Sequence, residues 1–186
     1  MISYNLKDYL KVYDNFLTPD ECSATLEDFT KIVWEKHSYS VYNGNKTSYD
    51  DDLSITSLNT NNSTIIQEKI WYLIPKYIDD VKMKWFNSWH GYTPIRYNKY
   101  DLNTKMRLHC DHIHSMFDGI RKGIPILSIL GSLNDNYDGG ELVFWENEII
   151  ELKAGQVMVF PSNFLYPHEV KPVKNGVRYS YVSWVW

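Results

Sequence analysis

The sequence predicts a mainly β fold of the α+β class, a jelly-roll barrel buttressed on its outer face by helices from the N-terminal half. Two observations lead to this prediction. Before residue 90, apolar residues recur at helical spacing in two segments. From residue 91 onward, eight short runs rich in branched and aromatic residues are separated by Gly, Pro and Asn/Asp turns, a pattern typical of an antiparallel barrel. The predicted strands are 93–100, 105–111, 125–134, 140–146, 148–153, 156–161, 166–172 and 176–185.

The first helix has a clear start. Residues 9–17 are rich in aromatic and branched side chains and predict a strand. Thr18 then serves as the N-cap, Pro19 occupies the first helical position and Glu21 completes a T-x-x-E capping box. The helix is expected to bury one stripe of side chains. That stripe consists of Cys22, Leu26, Phe29 and Val33.

The second helix is predicted from TNNSTIIQ (60–67) to about residue 87, where His90-Gly91 stops it. Pro75 falls inside this segment and is expected to kink or split the helix. Between the two helices, Gly44 and a run of acidic residues predict a loop or weak hairpin over 38–52, and 53–58 predicts a short strand.

Composition sets broad limits on function. A length of 186 residues suits one domain, 1–186, with a helical support region (1–90) and a jelly-roll core (91–186). The formal net charge of −4 argues against a general nucleic-acid binder. Two cysteines do not make a disulfide framework, which favours a reducing compartment. Because no apolar run reaches signal-peptide or membrane-spanning length, we expect a soluble cytoplasmic protein without membrane or nucleic-acid partners.

A candidate metal site lies in the segment MRLHCDHIH (106–114). His109 and Asp111 are two residues apart, so on a strand their side chains point the same way. His168 would complete a set of two imidazoles and one carboxylate, which holds Fe(II) on one face and leaves three positions open. Alone, the first two residues could also be an ordinary exposed pair on an edge strand. A pair of Asp111 with His114 is also conceivable, although these side chains would lie on opposite faces of a strand.

A candidate anion-binding residue follows ten positions after His168. Arg178, Ser180, Val182 and Trp184 alternate onto one face of a strand that is apolar on both faces. A buried arginine needs an acidic partner, and a guanidinium beside a hydroxyl is suited to holding a carboxylate by charge-assisted bonds.

These motifs resemble those of the Fe(II)/2-oxoglutarate dioxygenases, specifically the prolyl 4-hydroxylase-like branch. The segments that carry the likeness are YDLNTKMRLHCD (100–111), DGGELVF (138–144) and the closing PHEVKPVKNGVRYSYVSW (167–184). The likeness is close over 95–186, and VYDNFLTPDEC (12–22) extends it more loosely to the start. It implies a double-stranded β-helix of the cupin type, Fe(II) as cofactor and 2-oxoglutarate as cosubstrate, with ascorbate as an optional addition.

The resemblance also assigns residue roles. It implies that Arg178, assisted by Ser180, binds the distal carboxylate of 2-oxoglutarate. Tyr100 matches a tyrosine that donates to the cosubstrate, although it could equally be one of many core tyrosines. Ser132 aligns where oxygen-sensing prolyl hydroxylases carry a tyrosine hydroxyl, and Asn103 replaces a glycine of the branch. The expected pocket wall, for which a structural role is also open, comprises Ser128, Leu130, Val170 and Trp184.

The activity implied by the resemblance is hydroxylation of a peptidyl-proline with O2, releasing succinate and CO2. A protein or peptide substrate is expected to enter over loop 112–123 and the tip of 36–52. The same chemistry on another side chain, a free amino acid or a small metabolite is an alternative, because the motifs concern iron and cosubstrate only. A non-catalytic cupin-like binding or scaffold module is the third hypothesis.

Overall fold

A computed structural model describes residues 5–40, 45–57, 59–60, 62–82, 86, 88–111 and 125–186 of the chain. Its helices are α1 (Pro19–Asp28) and α2 (Ser63–Asp80), with short 3-10 helices at Leu6–Tyr9 and Phe29–Lys31. The strands are β1 (Lys11–Tyr13), β2 (Glu35–Lys36), β3 (Tyr39–Ser40), β4 (Lys46–Thr47), β5 (Ser54–Thr56), β6 (Arg96–Tyr100), β7 (Met106–His109), β8 (Leu127–Ser132), β9 (Asp138–Gly139), β10 (Leu142–Phe144), β11 (Glu148–Ile150), β12 (Val157–Pro161), β13 (His168–Val170), β14 (Val173–Asn175) and β15 (Arg178–Val185).

Two antiparallel sheets form the barrel. The larger has seven strands in the order β1-β12-β8-β15-β6-β5-β2, and the smaller has four in the order β11-β10-β13-β7. Side chains from both sheets pack together between them, among them Leu130, Val182, Phe144 and Val170. The outer face of the larger sheet packs against α1 and α2 in a second core. Helices, large sheet and small sheet therefore form three layers, which explains why β8, β12 and β15 are apolar on both faces.

The start of α1 is as the sequence predicts. The Thr18 hydroxyl accepts a hydrogen bond from the Glu21 amide at 3.2 Å, and the Glu21 carboxylate accepts one from the Thr18 amide at 2.7 Å. Glu21 also forms an ion pair with Lys69 of α2 at 2.6 Å, which ties the two helices together. The prediction that Val33 belongs to the buried stripe is wrong. This residue lies beyond the helix and the 3-10 turn that follows it, and its side chain is 76% exposed.

Helix α2 differs from its prediction in two ways. It runs through Pro75 without being split, because the proline lies on the exposed face. The carbonyl that loses its amide donor there belongs to exposed Trp71, where water can replace the missing bond. The helix ends at Asp80 rather than near residue 87, and Lys82 has a φ of 57°, which does not continue a helix. Residues 83–85 and 87 lie outside the described residues.

All eight strands predicted after residue 91 are present in shortened form. The N-terminal region is not only helical, however, since β1, β5 and β2 join the seven-stranded sheet. Strand β1 pairs with β12, β5 with β6 and β2 with β5, each over two or three residues, which is too short for a periodicity in the sequence to reveal. The weak hairpin expected over 38–52 is the pair β3–β4, and 53–58 supplies β5. Among the described residues, no helix combines the length and apolarity needed to cross a membrane.

Candidate active site

Three candidate metal ligands converge between the strands of the smaller sheet. His109 at the end of β7 pairs directly with His168 at the start of β13, so their imidazoles lie side by side with ring centroids 4.4 Å apart. The Asp111 Oδ1 atom lies 3.3 Å from His109 Nε2 and 3.8 Å from His168 Nε2. Ligand atoms on neighbouring positions of a six-coordinate metal with bonds of about 2.1 Å are about 3 Å apart. Small adjustments would therefore place all three, which lie within 4.8 Å of one another, on one metal ion.

Backbone carbonyls orient both imidazoles for metal binding. The Nδ1 atom of His109 is 2.7 Å from the Arg107 carbonyl oxygen, and that of His168 is 3.1 Å from the Tyr166 carbonyl oxygen. Because a carbonyl can only accept, each Nδ1 carries the proton and donates it. The lone pair of each Nε2 is then free to face Asp111, and this is the outer hydrogen bond that metal-binding histidines usually make.

Burial keeps the second imidazole uncharged at neutral pH. His168 packs between Phe144 and Phe160, each with a ring centroid 5.1 Å away. This burial, with a smaller contribution from neighbouring His109, lowers the pKa of His168 to about 4. A neutral imidazole is the form that binds a metal, so no proton has to be displaced from it at neutral pH.

The Asp111 carboxylate is held in place by two serines. The Ser128 hydroxyl donates to Asp111 Oδ2 at 2.6 Å, and the Ser162 hydroxyl lies 2.7 Å from that of Ser128. Burial acts to raise the pKa of Asp111, but His168, His109 and the Ser128 hydroxyl together lower it below its ordinary value. The carboxylate is therefore ionised, with Oδ2 engaged and Oδ1 turned towards the two imidazoles.

A buried arginine lies deeper in the barrel. Arg178 is 2% exposed, its Nη1 atom donates to the Ser180 hydroxyl at 3.2 Å, and its guanidinium lies 4.8 Å from the ring centroid of Tyr100. The Nε atom is buried and has no hydrogen-bond partner. Among the described residues no carboxylate lies within 4.0 Å of this guanidinium. A desolvated, uncompensated cation is costly, so the site is suited to receive an anion.

The strand register orders these residues along the inner face of the larger sheet. Arg178 on β15 lies opposite Tyr100 on β6, and Ser180 lies opposite both Asn98 on β6 and Ser132 on β8. The next row is Arg96, Val182 and Leu130, and the last is Trp184 with Ser128, which contacts Asp111. One end of the barrel thus carries the arginine and the other the candidate metal ligands.

A narrow cavity lies between the metal cluster and this face of the larger sheet. Its lining includes all the residues that the sequence assigned to a pocket wall, together with Tyr100. Ser132 and Ser180 do not line it, and the Ser132 hydroxyl donates to the Asn134 carbonyl at 2.9 Å. The residues of this wall are Ser128, Leu130, Val170 and Trp184.

Two residues near the site have informative conformations. Asn103 has a φ of 64°, so the asparagine adopts the left-handed conformation that the glycine it replaces would favour. Cys110 turns its sulfur towards the Phe164 carbonyl at 3.7 Å and is partly exposed. His112 and His114, and the loop over which substrate was expected to enter, lie outside the described residues.

Sequence reasoning missed four residues around the site. Arg96 and Asn98 share the inner face of β6 with Tyr100, and the spacing R-x-N-x-Y could have identified them. The role of Ser162 depends on contact with Ser128, which no local pattern encodes. His37 is also buried nearby, and its burial, together with the charges of Arg96 and His109, lowers its pKa to about 4.

The chain is similar in sequence to known oxygenases and hydroxylases. The sequence profile of the 2OG-Fe(II) oxygenase superfamily matches residues 95–186. A PKHD-type hydroxylase of Prochlorococcus marinus is 31% identical over 188 residues, which cover 92% of this chain and 77% of that protein. A PKHD-type hydroxylase of Stenotrophomonas maltophilia is 35% identical over 101 residues, covering 50% of this chain and 43% of its own length.

Solved prolyl hydroxylases share the fold. A viral collagen prolyl hydroxylase from Paramecium bursaria Chlorella virus-1 superposes with a TM-score of 0.68 at 15% identity, covering 95% of this chain and 94% of its own. A prolyl-4-hydroxylase of Pseudomonas putida superposes with a TM-score of 0.65 at 17% identity, covering 95% of this chain and 91% of its own. The prediction of a double-stranded β-helix is thus confirmed.

Family membership implies Fe(II) and 2-oxoglutarate, and the donor set of two imidazoles and one ionised carboxylate fits this metal. The chain belongs to the 2-oxoglutarate- and Fe(II)-dependent oxygenases, an enzyme superfamily within which it is similar to the prolyl 4-hydroxylases.

Proposed function

We propose that this chain is a single-domain hydroxylase that uses Fe(II), 2-oxoglutarate and O2 to hydroxylate a peptidyl-proline, releasing succinate and CO2. The observation that carries the proposal is the presence, in one barrel, of a cluster prepared for a metal and a buried guanidinium without a counterion. The reaction requires no general acid–base pair from the protein, because the metal and the cosubstrate carry the difficult chemistry.

The metal ligands in this proposal are His109, Asp111 and His168. Iron bound there would activate O2 together with 2-oxoglutarate, so that oxygen is inserted into a C–H bond of the substrate. The protein holds the three donors on one side of the ion, which leaves the opposite positions for cosubstrate and O2. Ser128 keeps the carboxylate in a single orientation by its 2.6 Å hydrogen bond.

The cosubstrate lies, in this proposal, between the metal and Arg178. The guanidinium pairs with the distal carboxylate, and Ser180 and the Tyr100 hydroxyl contribute further hydrogen bonds. Ser132 lies directly opposite Ser180 on β8; its hydroxyl donates to the Asn134 carbonyl in this structure and would have to rotate to donate to the cosubstrate. The arginine fixes the length of ligand that fits, because it is buried and cannot follow a shorter or longer diacid.

Apolar residues keep the reacting carbon dry. Leu130, Val170 and Trp184 are each at most 7% exposed and line the cavity beside the metal cluster. Exclusion of water strengthens the electrostatic contacts inside and limits side reactions of the activated oxygen. Their role in the proposal is to present the substrate C–H bond to the metal without competing solvent.

A peptide is the substrate class best supported. Leu108, Phe164 and Leu165 are exposed apolar residues at the rim next to His109 and Cys110, where an extended chain could bind. A structurally similar prolyl hydroxylase from Trichoplax adhaerens, with a TM-score of 0.66 at 20% identity, is bound to a peptide fragment of hypoxia inducible factor. The net charge of −4 favours a protein over a nucleic acid, and two free cysteines fit a cytoplasmic location.

The test is turnover of a peptide panel. The iron-loaded protein is incubated with O2, 2-oxoglutarate, ascorbate and peptides that contain proline in varied contexts, and products are analysed by mass spectrometry. We expect a peptide that is heavier by one oxygen atom on proline, together with an equal amount of succinate. Succinate formation without modification of any proline would refute the proposed substrate while retaining the oxygenase chemistry. A His168→Ala variant is the control for adventitious iron.

A further inference from the structure

A second arginine faces the metal end of the cavity. Arg96, Asn98 and Tyr100 alternate along β6, and all three line the cavity that contains the metal cluster. The Arg96 guanidinium lies 4.7 Å from the ring centroid of Trp184, at the end of β15 opposite Arg178. It occupies the row of Val182 and Leu130, two rows away from that of Arg178. Arg178 does not line this cavity, so the two guanidinium groups serve different parts of the barrel.

Three polar atoms at this end of the cavity are buried and have no hydrogen-bond partner within the described part of the chain: Arg96 Nε, Asn98 Oδ1 and Trp184 Nε1. Buried polar atoms in folded proteins are nearly always hydrogen-bonded, so three in one cavity indicate a missing ligand. Two of these atoms belong to donors and one is an acceptor. A ligand that satisfies them carries an acceptor group, such as a carboxylate, and a neighbouring N–H or O–H donor.

The charges inside the barrel point to an additional anion. With a divalent iron bound, the two arginines and the metal would carry four positive charges, whereas Asp111 and a dianionic 2-oxoglutarate would carry three negative ones. No other carboxylate of the described part of the chain lines this cavity, and none lies within 4.0 Å of the Arg96 guanidinium. One positive charge is left uncompensated in a desolvated site, which is unfavourable until another anion enters.

We propose that Arg96 is a second carboxylate-binding residue and that the substrate carries a carboxylate close to the carbon that is oxidised. This inference rests on the proposed hydroxylase function and narrows its substrate class. The Arg96 guanidinium, which lies over the Trp184 ring, pairs with the carboxylate. The Asn98 oxygen accepts a hydrogen bond from a neighbouring N–H of the same substrate. The carboxylate belongs either to the C-terminus of a chain or to an acidic side chain next to the target residue.

The experiment measures binding to the iron-loaded protein with 2-oxoglutarate in the absence of O2. One pair of probes is a tripeptide that ends in proline, as the free acid and as the amide. A second pair is a capped peptide with Pro-Asp and its Pro-Asn counterpart, and a third is an acidic dipeptide without proline and its amide. Dissociation constants are read from tryptophan fluorescence, which Trp184 beneath the guanidinium makes sensitive to occupancy, and are checked by calorimetry.

We expect the acid of at least one pair to bind roughly 10- to 100-fold more tightly than its amide, as for a buried charge-assisted pair. Arg96→Met should remove this preference. Lys99→Met is the matched control, because it removes one positive charge from the outer face of the same strand. It should leave the preference unchanged. A preference for the acid in the first pair only identifies a C-terminal carboxylate. A preference in the second pair only identifies an acidic side chain.

Equal binding of acid and amide to the unmodified protein in every pair would overturn the inference, and this result does not depend on whether the variant folds. A preference that survives Arg96→Met would also overturn it. So would weakened binding of 2-oxoglutarate alone in that variant, since the guanidinium would then serve the cosubstrate.

Mass spectrometry of the same probes separates the two proposals. Hydroxylation of proline in acid and amide alike contradicts only the carboxylate inference, whereas Arg96-dependent binding of acids without any proline product contradicts only the proposed substrate.

Discussion

Removal of the Ser128 hydroxyl is expected to weaken metal binding although this residue is not itself a ligand. Ser128 donates to Asp111 Oδ2 at 2.6 Å inside the barrel, and both side chains are buried. A hydrogen bond to a buried charged group contributes about 2 kcal/mol, which corresponds to roughly 30-fold in affinity. Outer-shell partners of metal ligands typically contribute 10- to 100-fold. We therefore expect Ser128→Ala to raise the dissociation constant for Fe(II) about 30-fold.

The assay is anaerobic titration with Fe(II) against a competing chelator. Ser162→Ala should have a smaller effect, of a few-fold, because Ser162 contacts only the Ser128 hydroxyl. Ser183→Ala is the matched control: its buried hydroxyl donates to the Thr93 carbonyl at 2.8 Å and does not contact the cluster. An unchanged iron affinity in folded Ser128→Ala, or an equal loss in Ser183→Ala, would refute the reasoning.

Three further predictions concern cosubstrate, pH and packing. Arg178→Met should weaken 2-oxoglutarate binding by at least about 100-fold in calorimetry, since it removes a buried charge pair, while iron affinity stays unchanged. Burial, with Arg96 and His109, lowers the pKa of His37 to about 4, whereas the unfolded chain titrates near 6.5. The unfolded state therefore takes up more protons between these values, and the free energy of unfolding should fall by about 3 kcal/mol more in the parent than in His37→Phe as the pH drops from 6.5 to 4. Gly131→Ala should lower the free energy of unfolding by about 1–3 kcal/mol or more, because the added Cβ would lie 2.0 Å from the Tyr181 ring.

Each of these predictions has a contradicting outcome. Equal affinity for 2-oxoglutarate in Arg178→Met and its parent would show that the guanidinium does not hold the cosubstrate. Parallel pH profiles of urea unfolding for His37→Phe and its parent would show that this imidazole titrates normally in the fold. An unchanged urea midpoint for Gly131→Ala would mean that Tyr181 moves aside at no cost.

The sequence predicted those parts of the site that depend on local rules. His109 and Asp111 converge as their two-residue spacing predicts, although β7 ends at His109 and Asp111 lies just beyond it. Strand β15 is buried on both faces because its apolar residues do not alternate. The capping box of α1 depends on only four consecutive residues, and Thr18 and Glu21 form it as predicted.

Features that depend on pairing between distant segments could not be predicted in the same way. Ser128 contacts Asp111 because β8 of the larger sheet faces the end of β7 in the smaller sheet, and this packing is a property of the assembled barrel. Arg96 is an exception, because the spacing R-x-N-x-Y alone places it on the same face of β6 as Tyr100. Pro75 does not interrupt α2 because tertiary packing of the opposite face outweighs one lost hydrogen bond.

Anaerobic titration with Fe(II) and then 2-oxoglutarate tests the central claim most directly. When both bind in chelating geometry, a weak visible charge-transfer absorption should appear and saturate at one equivalent of each. It should be absent in His168→Ala, and in Arg178→Met it should require at least about 100-fold more 2-oxoglutarate. An absorption that persists in His168→Ala, or that develops equally readily without the arginine, would contradict the account of this site.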